Sequence, residues 1–343
     1  MAEKKKAAST ASKKAPAKKP VPAKAAENDS KKEEKKSARI ISFYNRKGGT
    51  GKTSLSTSFA AAMARNKNCR VLVIDMDGQC DASKAFGLKS YDLSKDPSTY
   101  KNILNIPGID IPKGTPNMPD GMKIKKVEDI KQLISRAPYF GLYVIPGNES
   151  IGTIWSSDRN LDNEYSVLLD ALDSIRDLFD YIVIDLPPND EIQTLNAIIA
   201  SDYVLSVLNC NTSSVESAEK FLSQTLPSCK KVNPMLECLG LVVNRYKSSQ
   251  RNVYAVEMRE LADTYGVHLF NSRIRDSVAI DNCKNFDVIE KAKTGGRPLM
   301  FFDLYAQRNY DGLYSDMSAF VQEVLYTLYR FETTGSGVDE MGK

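Results

Sequence analysis

The run Asn45-Arg46-Lys47-Gly48-Gly49-Thr50-Gly51-Lys52-Thr53-Ser54 limits the folds open to this chain more than any other stretch. A β-like segment, Ile40 to Tyr44, precedes it, and a small-residue helical segment, Leu55 to Ala64, follows. Strand, glycine-rich turn and helix in that order make a phosphate-binding loop. Backbone N–H groups of the turn point inward at phosphate oxygens, and the helix adds the positive end of its dipole. In such a loop Gly48, Gly49, Thr50, Gly51 and Ser54 form the cradle, Lys52 reaches the terminal phosphates and the Thr53 hydroxyl ligates Mg²⁺.

The rest of the chain alternates apolar runs with helical spacing. Val71–Ile74, Leu142–Gly147, Tyr181–Asp185, Tyr203–Leu208 and Leu239–Tyr246 read as buried parallel strands. Helices are expected at Glu164–Phe179, Ser213–Leu226, Arg251–Tyr265 and Tyr310–Phe331, with shorter ones at Ser98–Leu104 and Val127–Arg136. This alternation predicts an α/β fold, a doubly wound, mostly parallel sheet with helices on both faces. Ligands of such sheets sit at the carboxyl ends of the strands. Asp75 and Asp77 follow one apolar run and Asp185 ends another, as a Walker B acid does. Between Lys89 and Gly141 six prolines break any long element, and Ile106–Lys123 reads as a surface loop.

Composition excludes several classes. The six cysteines include no Cys-x-x-Cys pair and His268 is the only histidine, which argues against zinc, an iron–sulfur cluster or a disulfide framework. No stretch of 18 apolar residues and no apolar leader occurs, so neither a membrane span nor a secretory signal is expected. Residues 1–38 hold twelve lysines against five carboxylates, a net of +7, with no aromatic residue. Such a segment cannot bury enough apolar surface to fold alone. The whole chain is +4, so residues 39–343 carry −3 and the basicity resides in the tail. The expected organisation is a disordered basic tail at 1–38, one domain at 39–331 and a flexible Gly-rich acidic end at 332–343.

Two lysines five residues apart, Lys47 and Lys52, with Arg46 where the ordinary loop has glycine, form the deviant Walker A pattern. Asp75-Met76-Asp77-Gly78-Gln79, Asp185-Leu186-Pro187-Pro188 and Asn244-Arg245-Tyr246 follow in order. On these motifs the chain resembles the ParA/MinD family of P-loop ATPases. The resemblance spans nearly all of 39–331, with Gly78 where the family has proline and Ile274 where many ParA proteins do. It implies ATP and Mg²⁺ as cofactors, Mg²⁺-dependent ATP hydrolysis and an ATP-bridged homodimer. Lys47 would reach across the interface to the partner's ATP, Asp77 would position the attacking water, Asp75 and Asp185 would join Thr53 around the metal, and Asn244 would contact adenine. The segment Ser272–Ala279 looks like the family's stretch after the last strand. In ParA relatives the ATP state binds DNA nonspecifically, a partner protein stimulates hydrolysis, and the protein is cytoplasmic and nucleoid-associated. The function so implied is segregation or positioning of a plasmid, chromosome or protein cargo. Candidates for phosphate-backbone contact are Arg245, Lys247, Arg251, Lys284, Lys291, Lys293 and Arg297. The rival readings are a MinD-like membrane-associated ATPase, a metabolic enzyme of the same superfamily and a nucleotide-binding scaffold without hydrolysis. The first rival ends in a basic amphipathic helix, which Gly335-Ser336-Gly337-Val338-Asp339-Glu340 does not match.

The tail yields a salt-dependence prediction. A disordered polycation releases counterions from DNA in any nucleotide state. Deleting residues 1–38 should therefore weaken DNA binding at low salt and flatten the slope of log K against log salt by roughly 5, at about 0.9 per engaged lysine. Any nucleotide requirement should survive the deletion. Unchanged affinity and slope in a fluorescence-anisotropy titration would make the tail a solubilising leader.

Overall fold

The computed structural model describes residues 37–88, 102–106, 129–137, 141–152, 165–247, 254–277 and 312–337. Eight strands build one sheet: β1 (Arg39–Tyr44), β2 (Val71–Asp75), β3 (Ser135–Arg136), β4 (Leu142–Ile145), β5 (Tyr181–Asp185), β6 (Tyr203–Leu208), β7 (Glu237–Tyr246) and β8 (Leu269–Arg275). Their order is β3-β4-β2-β5-β1-β6-β7-β8. Every neighbouring pair is parallel except β3–β4 at one edge. Parallel neighbours need crossover connections, usually helices. The described helices are α1 (Lys52–Asn66), α2 (Asp81–Ala85), α3 (Val167–Asp173), α4 (Ile192–Ile199), α5 (Thr212–Lys220), α6 (Leu226–Lys230), α7 (Ala255–Tyr265) and α8 (Leu313–Thr334).

Side chains of a strand alternate between the two faces of its sheet. Ile41, Phe43, Val73, Val183 and Val207 accordingly face a layer made by α1, α2 and α8. Ile40, Tyr44, Ile74, Ile184 and Leu208 face the layer made by α3 to α7. Leu55 and Phe59 to Ala64 of α1 are all buried. A helix covered on every side needs no polar stripe, which explains its run of small residues. Phe59 packs tilted against Phe43 at 6.1 Å and edge-on to Tyr181 at 5.9 Å. Truncating such a side chain to alanine costs roughly 3–5 kcal/mol. The doubly wound parallel architecture expected from the alternation is the one observed.

Several segments depart from expectation. Val127–Arg136 was expected to be helical, but Ile130–Leu133 makes a 3₁₀ turn and Ser135–Arg136 pairs antiparallel with β4. The open edge of β4 offers backbone partners that a short isolated helix would forgo. Of Glu164–Phe179, the described residues from Tyr165 on are helical from Val167 to Asp173, with a 3₁₀ turn at Arg176–Leu178. There Arg176 turns to Asp202, at 2.6 Å and 2.7 Å, and to the Ala38 carbonyl at 3.1 Å, steering the chain into β5. The helix expected to stop at Leu226 runs on to Lys230 through a π-type turn, Phe221–Thr225. A π turn shifts the hydrogen-bond register, so Pro227 does not end the helix. Ser272–Arg275 belongs to β8 rather than following the last strand. Helix α4, for which no element was expected, contributes Ala197, Ile198 and Ile199 to the layer on the Tyr44 side. Of Ser98–Leu104 only residues 102–104 are described, and Ile103–Asn105 is a 3₁₀ turn capped by Asn102. The helix expected at Arg251–Tyr265 is described from Ala255. The tail before Ser37, most of the Ile106–Lys123 loop, Asp287–Glu290 and the end after Gly337 lie outside the described residues. No helix among the described residues is long and apolar enough to cross a membrane.

The β8 edge shows how the sheet is finished. Its pairing with β7 is irregular between Leu241/Val243 and Val243/Tyr246. Glu323 of α8 accepts the N–H groups of Asn271 and Ser272, both at 2.7 Å. Its Oε1 also meets His268 Nε2 at 3.1 Å. Burial alone would raise this carboxyl, but hydrogen bonds from His268, Asn271 and Ser272 bring it down from 4.5 to about 2. A depressed carboxylate contributes stability above its unfolded pKa and loses it as pH falls through its folded pKa. Glu323→Ala should therefore lower stability by about 2 kcal/mol near neutral pH. That difference from wild type should shrink as the pH falls from 4.5 toward 2. Urea unfolding across this range measures it, and a constant difference would leave Glu323 a packing residue only.

Candidate functional site

The loop from Asn45 to Gly51 crosses the carboxyl ends of the central strands. Gly49 and Gly51 have φ of +75° and +91°, the left-handed region that glycine enters freely. A Cβ on Gly51 would stand 2.0 Å from Asn244 Nδ2, so only glycine fits there, whereas a Cβ on Gly49 would meet nothing within 4 Å. The loop carbonyls are held from outside. Asn209 Nδ2 donates to Gly49 O at 3.2 Å, Asn244 Nδ2 to Thr50 O at 2.7 Å, and Lys52 Nζ to Lys47 O at 3.4 Å. Asn45 accepts the Lys47 N–H at 2.8 Å and donates to Val207 O at 2.8 Å. With its carbonyls held by neighbouring donors, the turn keeps N–H groups for an anion at the start of α1.

The acids end two adjacent strands. Asp75 and Asp185 are register partners across β2 and β5, and both are fully buried. Their carboxyls are raised above the usual carboxylate range, by burial first and then by neighbouring charge: Asp185 acts on Asp75, and Asp77 on Asp185. Asp75 Oδ2 accepts the Ser83 N–H at 2.8 Å and its hydroxyl at 2.6 Å, and Oδ1 accepts the Asp77 N–H at 3.2 Å. Asp75 thus anchors the turn that carries Asp77. Asp185 Oδ1 accepts from Ser56 at 2.9 Å, while Oδ2 is buried with no hydrogen-bond partner. The Thr53 hydroxyl lies against the same carboxylate. A free buried carboxylate oxygen beside a hydroxyl, at the head of a phosphate cradle, suits a hard divalent cation such as Mg²⁺.

The remaining predicted residues fall in distinct places. Lys52 and Ser54 are both buried. Asp77 is half-buried and accepts the Gln79 N–H at 2.9 Å. Lys47 folds onto its own subunit, donating to Asn211 Oδ1 at 2.7 Å and to the Ser213 hydroxyl. Asn244 spends its amide N–H on Thr50, and its Oδ1 is buried without a partner. Arg245 and Lys247 share one carboxylate, Asp276, at 3.9 Å and 3.3 Å. Arg251, Lys284, Lys291, Lys293 and Arg297 lie outside the described residues. Sequence reasoning missed Asn45, Asn209 and Asn211. A signal existed, since Asn45 and Asn209 each directly follow an apolar strand.

Comparison with known proteins adds the following. The family model AAA_31, an AAA domain, matches residues 38–238. A chromosome partitioning protein ParA from Myxococcus xanthus is 28% identical over 267 residues, 78% of this chain and 82% of that protein. Apo McdA from Cyanthece superposes with a TM-score of 0.63 at 18% identity, covering 84% of this chain and 99% of that one. Cobyrinic acid a,c-diamide synthase from Mycobacterium smegmatis, with bound ADP and magnesium, gives a TM-score of 0.54 at 23% identity, covering 76% and 98%. At these identities the two structures share the fold with this chain and nothing narrower.

Gly51→Ala tests the loop geometry. A side chain at this φ strains the backbone by roughly 1–3 kcal/mol, and it also displaces Asn244 from Thr50. The melting midpoint should fall and anion affinity should be lost, as read by calorimetry with a nucleoside triphosphate. Gly49→Ala, where space is open, should cost less stability. Equal losses at the two positions would contradict the assigned contacts.

Proposed function

Because the chain belongs to the AAA_31 family of AAA domains and is a P-loop ATPase of the ParA/MinD type, we propose that it hydrolyses Mg·ATP to drive a monomer–dimer cycle that positions a plasmid, chromosome or protein cargo. The observation that carries this reading is the second lysine. Lys47 stands on the rim of the phosphate cradle, and among the described residues its ammonium is held by neutral acceptors, Asn211 and Ser213. A cation there is free to be exchanged for a phosphate oxygen of a nucleotide bound by a second copy. The chromosome partitioning protein ParA of Myxococcus xanthus, 28% identical to this chain, supports the cargo-positioning half of the reading.

The residues divide the work as follows. The N–H groups of Gly48 to Ser54 bind the phosphates, and Lys52 neutralises the terminal ones. Thr53 and Asp185 would hold Mg²⁺, which would neutralise charge on the terminal phosphates. Asp77 orients a water in line with the γ-phosphorus and takes up its proton as the new P–O bond forms and ADP leaves. Lys47 of the partner subunit stabilises the charge spread over the transferred group, which makes ATP part of the dimer interface. Asn244 Oδ1, a buried acceptor, suits the amino group of adenine. In the ATP state the dimer binds DNA nonspecifically through the basic residues at and beyond Arg245, and a partner protein stimulates hydrolysis.

Two variants test this cycle. Lys47→Ala should bind ATP normally, fail to form the ATP-dependent dimer in light scattering, and lose roughly 10²-fold or more in turnover. Asp77→Ala should bind ATP, dimerise and persist as a trapped dimer, with phosphate release slowed roughly 10²-fold or more. A normal dimer in the first variant, or wild-type turnover in the second, would defeat the corresponding role.

A further inference from the structure

Asp190 stands two residues beyond the Pro187-Pro188 pair and holds two groups of the phosphate-loop segment. Tyr44, the last residue of β1, donates its hydroxyl to Asp190 Oδ1. Arg46 Nη1 lies 3.1 Å from Asp190 Oδ2. The same loops touch again one step on, since a Cβ on Gly48 would lie 3.9 Å from the Pro188 ring. Tyr44 is fully buried, and its ring packs at 4.9 Å on Phe221, inside the π-type turn that continues α5. The start of that helical stretch, Asn211 and Ser213, holds Lys47. One carboxylate therefore joins the 187–190 loop, the phosphate loop and the helix on which Lys47 rests.

Lys47 rests there under poor electrostatic terms. Asn211 caps the N-terminus of α5 through the oxygen that also receives Lys47, accepting the Ser214 N–H at 3.0 Å. The helix dipole is positive at that end, so a cation is held by hydrogen bonds against the field. The backbone at Lys47 is tied by Asn45 and Lys52, and the Arg46 side chain adds a link from that backbone to Asp190.

We propose that Asp190 is a positioning residue of the ATPase: by gripping Arg46 and Tyr44 it couples any movement of the 187–190 loop to the release of Lys47 from Asn211 and Ser213. The inference rests on the ATPase reading given above. Asp190 contacts no reacting atom; it acts through Arg46. Any displacement of the 187–190 loop and departure of Lys47 from Asn211 and Ser213 then become one event.

The test uses the full chain and four variants: Asp190→Asn, Asp190→Glu, Arg46→Gln and the double Arg46→Gln/Asp190→Asn. ATP affinity, steady-state turnover and amide hydrogen exchange of residues 45–49 are read together. Asp190→Asn should keep KM and ATP affinity within about threefold while lowering kcat about tenfold. Exchange at residues 46–48 should rise about tenfold with the melting midpoint unchanged, as local loosening requires. Arg46→Gln should do the same, the double variant should be no worse than either single one, and Asp190→Glu should restore much of the loss. If Asp190→Asn lowers the melting midpoint through Tyr44, then Arg46→Gln carries the test, because that guanidinium is half exposed. Unchanged exchange at 46–48, or effects of the two single changes that multiply in the double variant, would overturn the proposal. A wild-type chain that neither binds nor hydrolyses ATP would instead overturn the ATPase reading, while the exchange measurement would still decide whether Asp190 holds Arg46.

Discussion

A phosphate loop must keep its N–H groups facing inward before any phosphate arrives. Peptide units turned that way leave their carbonyls needing partners, and an unsatisfied buried carbonyl costs roughly 1–3 kcal/mol. The strands around the loop meet this need. Asn209, just past β6, holds the Gly49 carbonyl and Asn244, in β7, holds that of Thr50, while Asn45, just past β1, ties the loop to β6. Asparagine suits the position because its amide both donates and accepts. In a parallel sheet all these carboxyl ends lie along one edge, so several side chains converge on one turn without any long loop. The cradle is thus a property of the sheet, and its preorganisation precedes the ligand.

The same edge concentrates charge. Register pairing of β2 with β5 sets Asp75 beside Asp185 in a fully buried layer, where neither carboxylate is comfortable. Ser83 and Asp77 satisfy the first; Ser56 satisfies only half of the second. The asymmetry separates two roles that the spacing in the chain leaves alike: Asp75 shapes the turn bearing Asp77, and Asp185 retains an acceptor. A cation against that acceptor would relieve the repulsion that burial intensifies. Packing on both faces makes this arrangement stiff. Because α1 is buried all round between the sheet and α8, the loop at its N-terminus has a fixed base against which the 187–190 loop and α5 can act.

Much of the fold was legible in the chain. Parallel strands buried on both faces leave continuous apolar runs, and Val71–Ile74, Tyr181–Asp185 and Tyr203–Leu208 could be read almost to the residue. The misreadings cluster where local pattern and tertiary partner disagree. Ser135–Arg136 has no strand character of its own and pairs only because β4 presents an open edge. Ser272–Arg275 is held in β8 in part by a carboxylate from the distant helix α8. The helix expected to end at Leu226 continues to Lys230 because the π turn at Phe221–Thr225 leaves no mark in periodicity.

Sequence by itself determined the order strand–loop–helix, the glycines of the loop, the lysine pair and the acids at the strand ends. These are local requirements, since φ sign, spacing and hydropathy act within a few residues. Only the tertiary structure decided which acid keeps a free oxygen, which asparagines hold the loop, and where Lys47 rests. Each of those depends on groups more than a hundred residues apart: Asp185 with Ser56, Asn244 with Thr50, Lys47 with Asn211 and Arg46 with Asp190. Hydrogen bonds of that range have no period in the chain. They exist because a parallel sheet brings the ends of distant strands to one edge, where desolvation makes every unpaired polar atom find a partner or await a ligand.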